Sequence, residues 1–105
     1  MGKRKIQKTI KIFAERAKKN LKAEKVILFG SYARGEANEY SDVDVIVLSK
    51  IFEKIPEEKR LDLLYPLTRG LFPDVHPFGF TSEEFNNISK TSTLFEARVS
   101  GLVVS

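Results

Sequence analysis

Two short apolar runs, separated by a polar segment, restrict the fold of this chain more than any other feature. Val26-Ile27-Leu28-Phe29 ends at Gly30, and the segment from Val43 to Leu48 is apolar except for Asp44. A continuous apolar run of this length that ends at a turn residue is typical of a strand buried on both faces. We therefore expect two strands of a small sheet that helices cover.

Apolar residues with helical spacing mark the segments that cover this sheet. Over 4–22 they recur every three or four residues without Pro or Gly, which predicts one amphipathic helix. Residues 57–71 repeat the pattern, but Pro66 lies inside it and predicts a kink or a split. Shorter helices are predicted to begin at 81–85 and to extend over 92–100, and the polar segment has room for one helical turn.

Two further segments complete the predicted sheet. Residues 73–80 read as a third strand, and its two prolines predict that it is short or pairs on one side only. Gly101 ends the last helix, and 102–104 can add a terminal strand. The order of elements predicts one domain over 1–105 of the α/β (α+β) class, with helices packed on a small mixed sheet.

Positive charge is concentrated at the beginning of the chain. Residues 1–25 hold ten Lys or Arg and two Glu, whereas 26–105 have a balance of −4, which leaves a net charge of +4. Most of the lysines fall off the apolar stripe, so we interpret them as the solvated face of a packed helix. Attraction of a triphosphate, docking of an acidic partner and nucleic-acid binding are the other interpretations of this face.

Composition excludes several classes of site. The sequence has no cysteine, which excludes disulfides, thiolate metal sites and thiol catalysis. No run approaches the ~20 apolar residues of a membrane span, and the basic N-terminus continues into a helical pattern rather than an apolar signal core. We expect a cytoplasmic protein without a membrane segment.

Gly30 and Ser31 form a turn directly after the first apolar strand. Glycine lets the backbone turn sharply and lets a phosphate approach closely, because it has no Cβ. The freed N–H groups and the start of a following helix can bind an anion, and the Ser31 hydroxyl can donate to a phosphate oxygen. The pair therefore predicts a phosphate-binding turn.

Asp42 and Asp44 stand at the start of the second apolar strand. Side chains two residues apart on a strand project from the same face, about 6.6 Å apart. Two such carboxylates suit Mg²⁺, and two Mg²⁺ ions can bind the attacking and leaving oxygens of a phosphoryl displacement. A phosphate-binding turn beside an acid pair predicts nucleotidyl transfer from a nucleoside triphosphate.

The string Gly30-Ser31-Tyr32-Ala33-Arg34-Gly35, closed by Ser41-Asp42-Val43-Asp44, resembles the minimal nucleotidyltransferases of the polymerase-beta-like superfamily. The resemblance covers most of the chain and implies the nucleotidyltransferase fold. It implies that Gly30 and Ser31 hold the triphosphate of ATP or another NTP, and that Asp42 and Asp44 carry Mg²⁺. Arg34 would lie near the phosphates or the acceptor.

The family also uses a third carboxylate on a neighbouring strand, as a metal ligand and as a base. Here the third predicted strand offers Asp74 and His76. Either Asp74 supplies the third acid after a local shift, or His76 has replaced it. Histidine suits Mg²⁺ poorly, but it can accept a proton. A half-buried His76 paired with a neighbour is the structural alternative.

The resemblance also implies a partner, because larger family members carry a second domain that presents the acceptor. Minimal nucleotidyltransferases are often paired with a helical HEPN protein in toxin–antitoxin modules. They transfer AMP to a hydroxyl of the toxin or neutralise it by binding. We expect the same partner class here. A catalytically weakened antitoxin that only binds its partner, and a nucleic-acid-binding module, are the alternatives.

Other polar and aromatic residues beside the motifs have simpler interpretations. Tyr32 and Tyr40 flank the predicted site and can stack on a base, but packing is the interpretation that we favour. Glu83 and Glu84 fall in the first turn of a predicted helix, where acids stabilise the helix dipole.

Overall fold

The structure, a computed structural model, describes residues 3–38 and 40–105, and its elements follow the predicted order. The helices are α1 (Lys3–Leu21), α2 (Ser31–Arg34), α3 (Glu57–Leu64), α4 (Ser82–Asn86) and α5 (Phe95–Ser100). The strands are β1 (Lys25–Phe29), β2 (Val43–Leu48), β3 (Val75–Phe80) and β4 (Leu102–Val103). Short 3-10 helices over Lys50–Lys54 and Tyr65–Thr68 complete the described chain.

The four strands form one mixed sheet in the order β3-β2-β1-β4. β1 runs antiparallel to both β2 and β4, whereas β2 and β3 are parallel. The predicted mixed sheet is therefore confirmed. β3 lies at an edge, where a strand that contains proline loses no ladder hydrogen bond on its open side.

Alternate residues of the strands face two separate apolar clusters. One face packs against α1 and α3 and contains Val43, Val45 and Val47. The other face packs under α4 and α5 and contains Ile46 and Leu48. Because successive strand residues point to opposite faces, Asp44 shares the α4/α5 face with Ile46.

α1 has the two faces that the periodicity predicts. Its apolar stripe is buried and consists of Ile6, Ile10, Phe13, Ala14, Ala17 and Leu21. The lysines described on its other face are exposed at 8, 11, 18 and 19. The basic segment is thus one side of a packed helix. None of the described helices is long and apolar enough to cross a bilayer.

The split predicted at Pro66 is confirmed, whereas several predicted boundaries differ from the structure. Pro66 splits the second long helix, so that α3 ends at Leu64 and a 3-10 helix follows, because proline offers no amide hydrogen for the α-helical ladder. The helix predicted over 92–100 begins only at Phe95, since the Ser92 hydroxyl accepts from the Leu94 amide and stabilises a turn instead. The third and fourth strands are shorter than predicted, with bounds of Val75–Phe80 and Leu102–Val103.

Candidate active site

Gly30 joins β1 to α2 and has a backbone conformation that only glycine adopts readily. Its φ is 79° and its ψ is −155°. A Cβ at this position would lie 2.5 Å from Oδ2 of Asp44. The backbone of the predicted phosphate-binding turn therefore contacts a carboxylate of the predicted metal-binding pair.

α2 is a single short helix that turns the chain away from the sheet. The Arg34 amide donates to the Gly30 carbonyl at 3.1 Å, and the Glu36 amide donates to the Ser31 carbonyl at 2.9 Å. Gly35, with a φ of 74°, ends the helix in the left-handed conformation. The sharp turn predicted at Gly30-Ser31 is therefore present, with Ser31 as the first helical residue.

Asp44 lies near the start of β2, which has β1 on one side and β3 on the other. It pairs with Phe29 of β1 on one side and with His76 of β3 on the other. Asp42 lies two residues earlier, and its Oδ2 is 3.4 Å from Nε2 of His76. The structure thus groups Gly30, Asp42, Asp44 and His76 at this end of the sheet.

The surroundings of Asp44 oppose its negative charge more than they stabilise it. Burial raises the pKa of the Asp44 carboxyl, and the nearby carboxylates of Asp42 and Glu96 raise this pKa further. His76 and Arg34 lower the same pKa, but the net direction is upward. A desolvated carboxylate beside like charges favours a cation, because a cation removes this repulsion.

His76, rather than Asp74, lies beside the acid pair on the third strand. β2 and β3 pair without interruption from Val43 opposite Val75 to Leu48 opposite Phe80, so no local shift brings Asp74 into register with Asp44. Asp74 precedes β3, and its carbonyl accepts from the Val43 amide at 2.8 Å. Both His76 and Asp74 are exposed. A catalytic or metal-binding role for either residue stays a prediction.

The donor set at this end of the sheet fits Mg²⁺ only if other ligands contribute. Within 3–38 and 40–105, no three His, Cys, Asp or Glu side chains are grouped to hold a metal ion. Mg²⁺ in nucleotide sites commonly uses one or two carboxylates together with substrate phosphates and water. Two adjacent carboxylates next to a phosphate-binding turn match that requirement.

Arg34 is paired with two glutamates in the structure. Its Nε donates to Glu36 Oε1 at 2.6 Å, and its Nη1 donates to Glu96 Oε2. The hydrogen bonds to Glu36 and then to Glu96 raise the pKa of the Arg34 guanidinium. Sequence reasoning missed Glu96, because it is 62 residues from Arg34 and only the position of α5 over the sheet brings the two together.

The remaining expected side chains divide between packing and exposure. Tyr32 packs against the apolar cluster between the sheet and α1, as expected. The prediction that Tyr40 packs in the same way was wrong, because its side chain is 85% exposed. Glu83 and Glu84 lie in the first turn of α4, and Glu84 completes a capping box with Thr81. Its hydrogen bond from Arg60 was not predicted.

Comparison with known families gives one match that covers most of the chain. Residues 6–99 match the family described as nucleotidyltransferase domain. The match includes both motifs and the third strand.

Several curated relatives come from Methanocaldococcus jannaschii and are named as candidate protein adenylyltransferases. One is 50% identical over 40 residues, which cover 38% of this chain and 40% of the relative. A second is 66% identical over 29 residues, covering 28% and 20% of the two chains, and a third is 40% identical over 47 residues, covering 43% and 47%. The chain thus spans less than half the length of these relatives.

Two solved structures share the fold at low sequence identity. A toxin–antitoxin crystal structure with AMP-PNP aligns with a TM-score of 0.64 and 22% identity, over 94% of this chain and 72% of that chain. A candidate nucleotidyltransferase from Sulfolobus solfataricus aligns with a TM-score of 0.58 and 21% identity, over 98% and 87% of the two chains. The predicted nucleotidyltransferase fold is therefore confirmed.

Proposed function

This chain belongs to the nucleotidyltransferase domain family, and from that membership we propose that it transfers AMP from ATP to a hydroxyl group of a partner protein. The observation that carries the proposal is the contact between the glycine turn and the acid pair. A Cβ on Gly30 would lie 2.5 Å from Asp44 Oδ2, so a phosphate held at the turn would lie next to the carboxylate. This is the juxtaposition that phosphoryl transfer requires.

In the proposed reaction the turn binds the nucleotide and the acceptor attacks it. Gly30 and Ser31 hold the triphosphate, and Arg34 neutralises part of its charge. The acceptor oxygen forms a bond to the α-phosphorus while the bond from that phosphorus to the bridging oxygen breaks, and pyrophosphate leaves. His76 is placed beside Asp42 and Asp44, where it can take the hydroxyl proton.

Asp42 and Asp44 would hold Mg²⁺, as two ions in the arrangement that we expect from the sequence. Bound Mg²⁺ supplies positive charge that neutralises the phosphate oxygens. The raised pKa of Asp44, which comes mainly from burial, supports a cation at this position. Asp74 stays a candidate additional ligand from the segment before β3.

The proposed acceptor lies on a helical HEPN-type partner, with this chain as the antitoxin of a toxin–antitoxin pair. The fold shared with a toxin–antitoxin structure that contains AMP-PNP, an ATP analogue, supports this proposal. The adenylyltransferase names of the curated relatives support AMP as the transferred group. The cytoplasmic location expected from the sequence stays a prediction.

A second function has one specific observation in its favour. His76 occupies the register position beside Asp44, where a third carboxylate was expected. Loss of that carboxylate would weaken catalysis more than nucleotide binding, and would leave an antitoxin that acts by binding its partner. The nucleic-acid alternative has no comparable support, because the lysines described on α1 belong to an ordinary solvated helix face.

Transfer of label from α-labelled ATP distinguishes these functions. The full chain is incubated with Mg²⁺ and a candidate HEPN-type partner, and is compared with Asp42→Asn and Asp44→Asn. We expect labelled partner with the wild type, and about 100-fold less or none with either variant, because each removes charge from the proposed metal site. Chelation of Mg²⁺ is expected to abolish the labelling.

Asp62→Asn is the matched control, because Asp62 is an exposed aspartate on α3 and belongs to neither motif. It is expected to label the partner as well as the wild type does. Equal labelling by Asp44→Asn and Asp62→Asn would contradict the metal assignment. No labelling by any form, together with a stable complex with the partner, would instead support the binding function.

A further inference from the structure

The guanidinium of Arg34 lies between two carboxylates from distant parts of the sequence. Glu36 follows directly after α2, and its side chain is 65% exposed. Glu96 comes from α5, and its side chain is 34% exposed. Glu96 is therefore the less exposed partner, and it connects the motif loop to the C-terminal part of the domain.

α5 is fixed to the sheet directly beside Glu96. The next residue, Ala97, is 3% exposed and packs in the same cluster as Ile27 of β1. The Gly101 amide donates to the Ala97 carbonyl at 3.0 Å, and a Cβ on Gly101 would lie 2.6 Å from Ile27 Cγ2. β4 then pairs with β1. Glu96 is thus carried by an element whose following residues are packed closely on the sheet.

The Arg34–Glu96 ion pair lies beside the predicted phosphate-binding turn. Arg34 is the last residue of α2, which begins directly after Gly30, and its amide donates to the Gly30 carbonyl at 3.1 Å. The ion pair is therefore at the rim of the candidate active site rather than at a remote surface.

We propose that Glu96 is a positioning residue, which holds the Arg34 guanidinium ready to bind the nucleotide triphosphate. The inference rests on the proposed function and adds a residue from outside the motif. An exposed arginine loses much rotamer freedom when it binds a phosphate, and an arginine already held by two carboxylates loses less. Its guanidinium has five N–H groups, and the two carboxylates need only two of them.

Glu96 could also have the opposite effect on nucleotide binding, and the direction of the change in Kd distinguishes the two effects. The negative charge of Glu96 repels a triphosphate, and as a competitor for Arg34 it would weaken nucleotide binding. Charges at an exposed rim are screened by water and salt, whereas the ordering of Arg34 is not. The positioning effect is therefore expected to prevail, so that removal of the Glu96 charge weakens nucleotide binding.

The test is the affinity of the full chain for AMP-PNP with Mg²⁺, which needs no acceptor. The forms compared are the wild type, Glu96→Gln, Arg34→Ala and the double variant. Glu96→Gln is expected to raise Kd about fivefold to tenfold, the size of effect that a supporting hydrogen-bond partner commonly has. In the Arg34→Ala background the same change is expected to have less than about a twofold effect, because Glu96 then has no guanidinium to position.

Two further variants separate positioning from a general loss of charge or fold. Glu83→Gln makes the same substitution at an exposed glutamate of α4 and is expected to leave Kd unchanged. Glu96→Asp keeps the charge and is expected to retain most of the affinity. If Glu96 only positions Arg34, the melting temperature of Glu96→Gln is expected to stay close to that of the wild type.

The proposal is overturned if Glu96→Gln binds AMP-PNP as tightly as the wild type or more tightly. It is also overturned if the effects of Glu96→Gln and Arg34→Ala are additive, or if the wild type does not bind AMP-PNP. If the expected affinities are found but no acceptor is ever labelled, the proposed transfer fails while the role of Glu96 stands.

Discussion

Two clusters of charged residues in the described part of the chain differ in how well their charges are compensated by neighbouring groups. Arg60 of α3 is 5% exposed, and it donates to the carbonyls of Phe52, Ile55 and Gly79 and to both carboxylate oxygens of Glu84. This pairing lowers the pKa of Glu84, chiefly through the Arg60 hydrogen bond. At the other cluster, burial and neighbouring carboxylates raise the pKa of Asp44.

The difference separates a charge that holds the fold from a charge that is available for chemistry. The Arg60 guanidinium reaches around the open edge of β3 to α4, and its partners satisfy it within the chain. Asp44 lies on β2, where Gly30 leaves space for its carboxylate and the like charges of Asp42 and Glu96 act on it. A partly buried charge that its neighbours compensate only in part costs stability, and such a cost is typical of functional sites.

Arg60→Ala gives the largest expected loss of stability. It removes the partner of Glu84 and the donor to the Ile55 and Gly79 carbonyls, whereas the Phe52 carbonyl keeps its bond from the Ile55 amide. The free energy of unfolding is expected to fall by about 3–5 kcal/mol. Denaturant unfolding of the purified chain measures this change. Lys59→Ala, at an exposed neighbouring position, is the control and is expected to change stability by less than about 0.5 kcal/mol. A loss below about 1 kcal/mol for Arg60→Ala would remove the contrast between the clusters.

The same contrast explains which parts of the molecule could be predicted from the sequence. The apolar runs predict β1 and β2, the periodicity predicts α1, and local motif chemistry predicts the turn at Gly30 and the acids at its side. Those signals are local, because strand and helix periods extend over a few residues.

The features that sequence reasoning missed depend on contacts between distant segments. Arg60 and Glu84 are 24 residues apart, and nothing in the periodicity of α3 indicates that one of its charged residues is buried. Arg34 and Glu96 are brought together only when α5 packs over β1. The choice between Asp74 and His76 likewise depended on strand register, since a shift of two residues would place Asp74 opposite Asp44.

Gly30→Ala tests the comparison at the candidate site, and its expected loss of unfolding free energy is smaller than that of Arg60→Ala. The φ of 79° and ψ of −155° strain any residue with a Cβ, and the added Cβ would overlap the Asp44 carboxylate. We expect a loss of about 2–3 kcal/mol in unfolding free energy and no measurable binding of AMP-PNP.

Gly35→Ala is the matched variant for this prediction, because its φ of 74° is also positive but a Cβ there would meet nothing within 4 Å. It is expected to cost about 1 kcal/mol and to keep most of the nucleotide affinity. Equal loss of affinity in both variants would mean that backbone strain, and not the contact with Asp44, governs the site.

The smallest expected effect is the pH dependence of stability, which has opposite signs at the two carboxylates. The pKa of Glu84 is lowered from 4.5, so its charge contributes stability above that pH, and the contribution is lost as the pH falls through the folded-state value. Glu84→Gln keeps a residue that supports the capping box and is expected to lower stability by about 1 kcal/mol at pH 7. The difference from the wild type is expected to shrink below pH 4.5.

Asp44 is expected to behave in the reverse sense, in buffer with a chelator. Its folded-state pKa is raised above 3.8, so the stability linked to its proton is fully present below pH 3.8 and is lost as the pH rises through the folded-state value. Asp44→Asn resembles the protonated side chain and is therefore expected to be more stable than the wild type at pH 7, with the two converging at low pH. Thermal unfolding of the wild type and both variants between pH 3 and pH 7 measures the two slopes. If the stability difference between variant and wild type changed with pH in the same direction for both carboxylates, the two clusters would not differ in how the fold compensates their charge.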